Sequence, residues 1–181
     1  MIIGGARSGK SHFGQQLAQE SGKPVLFVAT AEAGDEEMRH RIAEHRRARP
    51  PDWNTLEVTT RLGEEIPKNV GEAKVVVVDC ITMLLNNIFS QHTSQSGEDF
   101  DTPLIEKEIT REINGLIECF LRLEPGFVII TNEVGMDLVP PNPMGRIYRD
   151  LLGRANQLLA KQCDEVYLMV AGLPVPIKPA R

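Results

Sequence analysis

The sequence predicts an α/β domain built on a mostly parallel sheet, with a phosphate-binding loop at its start. Three observations carry this. Short apolar runs alternate with segments of helical period along the 181 residues. The octapeptide Gly4-Gly5-Ala6-Arg7-Ser8-Gly9-Lys10-Ser11 lies between an apolar start and a helix. Four consecutive valines, Val75 to Val78, run straight into Asp79. No repeat or linker interrupts the chain, so residues 1–181 read as a single domain.

Met1 to Ile3 is a very short first strand, and Lys10 to Glu20 a helix with Phe13 and Leu17 on one face. Gly22, Lys23 and Pro24 end it. Val25 to Ala29 has the continuous apolar character of a strand covered on both faces. Asp35 to Arg47 is helical and strongly charged, and Pro50-Pro51 closes that region. After the valine strand, Ile81 to Phe89 forms a helix and Ser90 to Thr102 a polar loop. Ile105, Ile109, Ile113, Leu116 and Phe120 mark a long amphipathic helix. A strand follows over Phe127–Thr131, then a loop with Pro140, Pro141, Asn142 and Pro143. Ile147, Leu151, Ala155 and Leu158 mark another helix. Val166 to Val170 is the last strand, with Gly172-Leu173-Pro174 as a tail. In parallel α/β sheets ligands bind at the carboxyl ends of strands, so functional residues are expected just after the apolar runs.

The octapeptide fits G-x-x-x-x-G-K-[ST] at every fixed position. Glycines let backbone N–H groups approach phosphate oxygens, and the following helix adds its positive end. Lys10 is expected to reach the β- and γ-phosphates of a nucleoside triphosphate, and the Ser11 hydroxyl to ligate Mg²⁺. Asp79 ends its strand as a carboxylate placed for the same metal; the competing reading is an acidic helix cap.

The charged helix is the second informative segment. On a helical wheel Met38, Ile42, His45 and Arg49 share one stripe, so an apolar stripe turns polar at its C-terminal end. Arg41, Arg46, Arg47 and Arg49 surround His45. Arginines at that density suit a polyphosphate and keep a nearby imidazole neutral, which makes it a nucleophile. The alternative is a solvated helix whose basic end complements its own dipole. His12, His40 and His92 have weaker cases and read as surface residues.

A net charge of −5 gives no electrostatic reason to expect a nucleic-acid partner. No apolar run approaches the ~20 residues of a membrane-spanning helix. The N-terminus lacks the basic and apolar regions of a signal peptide. Cys80, Cys119 and Cys163 are widely spaced and read as free thiols in a reducing cytoplasm. The histidines show no zinc spacing.

Taken together, the stretches at 4–11, Val28-Ala29-Thr30-Ala31, Glu37 to Ile42, His45 to Pro50, Trp53, Thr55 and Glu57 resemble a known family. So do Val78 to Thr82, Thr131-Asn132-Glu133-Val134-Gly135, Val139-Pro140, Arg149-Asp150, Gly153, Asn156-Gln157, Asp164 to Val166 and Gly172 to Pro174. The family is that of the bifunctional adenosylcobinamide kinase/adenosylcobinamide-phosphate guanylyltransferases of cobalamin assembly. The chain departs from the usual pattern at Ile3, where Thr often precedes the glycines after a longer first strand, and at Asp79, where some members have Glu.

The resemblance implies a RecA-like, three-layer P-loop domain, usually assembled as a homotrimer. It implies phosphorylation of adenosylcobinamide by ATP or GTP. GMP is then transferred from GTP through a histidine–GMP intermediate to adenosylcobinamide phosphate, giving adenosylcobinamide-GDP. The guanylylated histidine falls on His45, with Lys10 as the second catalytic residue. Nucleotide contacts fall on residues 4–11, on Ala29, Thr30 and Ala31, on Arg46, Arg47, Ala48 and Arg49, and on Glu57 and Asp79. Two other classes remain open on the residues alone: a P-loop kinase of a different small molecule, and a nucleotide-switched binding protein without transfer chemistry.

Overall fold

A computed structural model describes residues 1–32, 34, 36–47, 49–93 and 100–179, with the side chains of Glu37, Met38, Arg41 and His45 outside that description. The elements in chain order are β1 (Ile2–Gly4), α1 (Lys10–Glu20), β2 (Val25–Ala29), α2 (Glu36–Arg47), β3 (Asn54–Glu57), α3 (Leu62–Asn69), β4 (Val75–Asp79), α4 (Ile81–Gln91), α5 (Thr102–Arg122), β5 (Gly126–Asn132), α6 (Pro143–Gln162), β6 (Val166–Val170) and β7 (Leu173–Lys178). The strands form one sheet in the order β3-β2-β4-β5-β1-β6-β7. All pairings are parallel except β6 with β7.

Period-two alternation in the buried strands sends side chains to two separate cores. Val25, Phe27, Val75, Val77, Ile2, Ile130 and Met169 pack with Phe13, Leu17 and Ala18 of α1 on one face. Leu26, Val28, Val76, Val78 and Ile129 pack against α3, α4, α5 and α6 on the other. This is the expected three-layer α/β architecture. The helix α1 sits close to the sheet: a Cβ at Gly14 would lie 2.8 Å from Ile130 Cδ1.

Several elements differ from expectation. β3 and α3 have no counterpart in the apolar and helical patterns of the sequence. The 173–178 tail is an antiparallel edge strand, where Pro174 and Pro176 are tolerated because no further strand needs their N–H groups. The turn that precedes it, Ala171-Gly172, has positive φ at both residues (51° and 83°), as a tight hairpin requires. In α6 the buried row continues through Leu159, while Leu158 is exposed. Of the polar loop 90–102, Ser90 and Gln91 complete α4 and Thr93 bridges Phe100; residues 94–99 lie outside the described residues.

Candidate active site

The carboxyl ends of β1, β2 and β4 open onto one cleft of about 1300 Å³. β1 is only three residues long but is wedged between β5 and β6, which pair with it from both sides. Gly4 leaves β1 at a point where a Cβ would lie 2.6 Å from the Met169 carbonyl oxygen, so only glycine fits. Gly9 caps α1 in the left-handed region at φ 93°. The hairpin turn beyond β6 supports this loop from outside: the Gly172 N–H donates to the Ser8 carbonyl at 3.1 Å. The sequence motif Gly172-Leu173-Pro174 is thereby tied to the phosphate loop, a contact that no local pattern announces.

Lys10 is buried at the first position of α1. Its Nζ donates to the Gly5 carbonyl at 2.6 Å, so the loop is curled around the ammonium. Burial pulls Lys10 below the ordinary lysine value, opposed by Cys80 and Asp79. Ala6, Arg7, Ser8, Gly9 and Ser11 line the cleft with Lys10. Asp79 lines it from the end of β4, facing the same ammonium. Ser11 and Asp79 thus bring two oxygen donors to one cavity, while among the described residues no three His, Cys, Asp or Glu side chains cluster as a protein-only metal cage.

The segment after β2 divides its roles. Ala29 and Ala31 line the cleft. Thr30 between them is fully buried; its hydroxyl donates to the Cys80 carbonyl at 2.7 Å and accepts from the Cys80 N–H at 2.8 Å. Its side chain ties β2 to the turn that carries Asp79 and is not among the residues lining the cleft.

α2 closes the other side. Arg39, Ile42, Ala43 and Arg46 line the cleft at i, i+3, i+4 and i+7. Of the expected stripe, Ile42 and Arg49 line the cleft. His45 lies on α2 beside Arg46; its side chain, like that of Met38 and like residue Ala48, lies outside the described residues. Arg49 stacks its guanidinium 3.8 Å from the Phe27 ring centroid. Its Nε is buried with no hydrogen-bond partner among the described residues. Burial lowers Arg49 from the ordinary guanidinium value, against the attraction of Asp79 and Glu57. The guanidinium therefore keeps hydrogen-bonding capacity that no described residue meets. Arg46 is ion-paired with Glu57 at the end of β3. Arg46, Arg49 and Glu57 also line an adjoining cavity of about 760 Å³ with Arg47, Trp53 and Thr55. Of the other histidines, His12 lies exposed at the cleft, His40 pairs with Glu44, and His92 is half-buried against Glu108 rather than a free surface residue.

The three cysteines are unpaired. No helix among the described residues is long and apolar enough to cross a membrane.

Comparison with known proteins accounts for this arrangement. A family model described as cobinamide kinase / cobinamide phosphate guanyltransferase matches residues 1–177. The bifunctional adenosylcobalamin biosynthesis protein CobU of Escherichia coli is 38% identical over 179 residues, covering 98% of both chains. The corresponding protein CobP of Pseudomonas aeruginosa is 39% identical over 178 residues, covering 98% of this chain and 96% of that one. Among solved structures, the assembled ATPase EscN of an enteropathogenic E. coli type III secretion system aligns with a TM-score of 0.48 at 12% identity, over 94% of this chain and 43% of that one. A phosphate loop facing an arginine-lined helix, matched end to end by a family that joins kinase and guanylyltransferase activities, leads to one conclusion: the chain belongs to the cobinamide kinase / cobinamide phosphate guanyltransferase family, the bifunctional enzymes of cobalamin biosynthesis.

Proposed function

We propose that this chain acts as one domain that phosphorylates adenosylcobinamide and then guanylylates the product through His45. In the first step the substrate alcohol oxygen attacks the γ-phosphorus of ATP or GTP, the bond to the β–γ bridging oxygen breaks, and the nucleoside diphosphate departs as the alcohol proton is lost. In the second, an imidazole nitrogen of His45 attacks the α-phosphorus of GTP and pyrophosphate leaves. A phosphate oxygen of adenosylcobinamide phosphate then attacks the bound GMP, the P–N bond breaks, and the histidine is regenerated. Lys10, Arg46 and Arg49 stabilise charge on the phosphates, and residues 4–11 with Ala29, Ala31 and Glu57 hold the nucleotide. The Ser11 hydroxyl and the Asp79 carboxylate suit Mg²⁺, which takes few protein oxygens and completes its shell from phosphate and water. Bound there, Mg²⁺ would neutralise charge on the triphosphate oxygens.

The observation that carries this reading is the single cleft shared by Lys10 of the phosphate loop and the arginines at the C-terminal end of α2. Cationic side chains on two sides of the cleft supply charge that a second transfer at phosphorus calls for. Incubation with adenosylcobinamide, GTP and Mg²⁺, followed by mass spectrometry, tests it. Sequential appearance of adenosylcobinamide phosphate and adenosylcobinamide-GDP is expected; the phosphate alone, however long the incubation, would reduce the protein to a kinase. The exposed apolar residues Val170, Leu173, Val175 and Ile177 support self-association into the homotrimer that the family resemblance implies, which sedimentation would measure. A cytoplasmic location fits the unpaired thiols.

A further inference from the structure

The cleft is divided in a way that nucleotide binding does not explain. Its volume, about 1300 Å³, exceeds the 300–1,000 Å³ range usual for a site that holds one small molecule. The side formed by the phosphate loop and α2 is cationic, with Arg7, Lys10, Arg39, Arg46 and Arg49. The side formed by the loop after β3, by α4 and by the end of β5 is largely neutral. Thr59, Thr60, Met83, Asn86 and Asn132 line it, all half-buried, and Arg61 and Glu65 at its α3 edge add one charge of each sign.

This neutral wall is fixed from behind. Asn87, buried in α4, donates both amide hydrogens, to the Thr30 carbonyl at 2.8 Å and to the Thr59 carbonyl at 2.9 Å. Glu112 holds the far end of the same loop through the N–H groups of Arg61 and Leu62. The Asn132 backbone N–H donates to Thr82 Oγ1 at 2.9 Å, and its carbonyl accepts from Asn156 at 3.0 Å. The backbone is thus committed, while the side chains of Thr59, Thr60 and Asn132 make no hydrogen bond among the described residues. The Asn86 amide makes a 3.7 Å contact to the Met83 sulfur, and the Asn132 amide has no hydrogen-bond partner among the described residues. A rigid wall that offers amides and hydroxyls beside a polarizable thioether matches the periphery of a ligand bearing carboxamides on an apolar frame. Asn132 also pairs in register with Gly4, so a ligand group beside it lies next to the start of the phosphate loop.

We propose that Thr59, Thr60, Met83, Asn86 and Asn132 form the acceptor subsite, taking the carboxamide-bearing side chains of the corrinoid with the reacting alcohol beside Asn132. The proposal rests on the function given above. Thr60→Val and Asn86→Ala test it, with adenosylcobinamide and GTP binding measured separately by calorimetry. Each variant is expected to weaken corrinoid binding about tenfold, as the loss of one ligand hydrogen bond does, with the GTP dissociation constant moving less than about twofold. Unchanged corrinoid binding in both variants, or GTP affinity falling in parallel, would overturn the subsite while leaving the function standing. A wild-type protein that binds GTP but no corrinoid would instead overturn the function, and the subsite with it.

Discussion

Glu112 is a buried carboxylate outside the cleft lining, and its removal has a calculable cost. It projects from α5 with 8% of its surface exposed. Its two oxygens accept from the backbone N–H of Arg61 at 2.8 Å and of Leu62 at 2.7 Å, at the start of α3. Arg61, the residue before the helix, is held at φ 63°, an unfavourable region for a side-chain-bearing residue. No side chain of α3 caps its own N-terminus, so Glu112 does so from another helix. A hydrogen bond to a charged group contributes roughly 1.5–3 kcal/mol, and water entering the vacated space recovers part of two such bonds. Glu112→Ala should therefore destabilise the protein by about 3 kcal/mol, or roughly 6–12 °C in Tm for a chain of this size. Glu112→Gln keeps the shape but sets an amide NH₂ against a backbone N–H, so it should still cost about 2 kcal/mol. Urea unfolding followed by circular dichroism measures both, with an unchanged m-value confirming the same unfolded reference. A loss below about 1 kcal/mol for Glu112→Ala, or a neutral Glu112→Gln, would refute the capping role.

Two glycines at the α3–α5 crossing should respond with opposite sign. A Cβ at Gly63 would meet the Gly115 carbonyl at 2.5 Å, so Gly63→Ala should destabilise by about 2 kcal/mol; nothing lies within 4 Å of a Cβ at Gly115, so Gly115→Ala should stabilise by about 1 kcal/mol in the same unfolding assay. Burial raises the Cys119 thiol from 9.0 to about 11, so the folded state holds that proton more tightly than the unfolded chain. Its contribution is complete below about pH 9 and is lost as pH rises to about 11. Stability measured across that window should fall more steeply in the wild type than in Cys119→Ala. Lys10→Ala should reduce phosphorylation of adenosylcobinamide at least about a hundredfold, as loss of a preorganised positive contact to the phosphates does, with Tm measured in parallel to separate activity from folding. Asp79→Asn should raise the Mg²⁺ concentration needed for half-maximal rate, read from a magnesium titration of the same assay.

The strongly patterned parts of the fold were legible in the sequence. Val25 to Ala29 and Val75 to Val78 are covered on both faces, which is what continuous apolar runs encode. The phosphate loop is local, so its residues appear together in the chain as they do in space. Elements held by distant partners were not legible. β3, Asn-Thr-Leu-Glu, is a mostly exposed edge strand with little apolar content. α3 is eight residues long with Pro67 inside it, and its start depends on Glu112, some fifty residues away. β7 reads as a tail because of its two prolines, yet as an edge strand it loses nothing by them. The same limit applies within the site. Thr30 stands between two cleft residues in the sequence, but only the fold shows that its hydroxyl is occupied by Cys80. The helical stripe grouped Ile42 with Arg49, and both line the cleft, but it gave no place to Arg39 and Ala43, which line it too.

Covalent labelling distinguishes a guanylylated His45 from phosphoryl transfer alone. The protein is incubated with Mg²⁺ and either α- or γ-labelled GTP, without corrinoid, and then denatured. Label is expected on the chain from the α position only, stable in alkali and lost in acid as a phosphoramidate is, and absent from a folded His45→Ala variant. Label retained by His45→Ala, or arriving from the γ position, would contradict it.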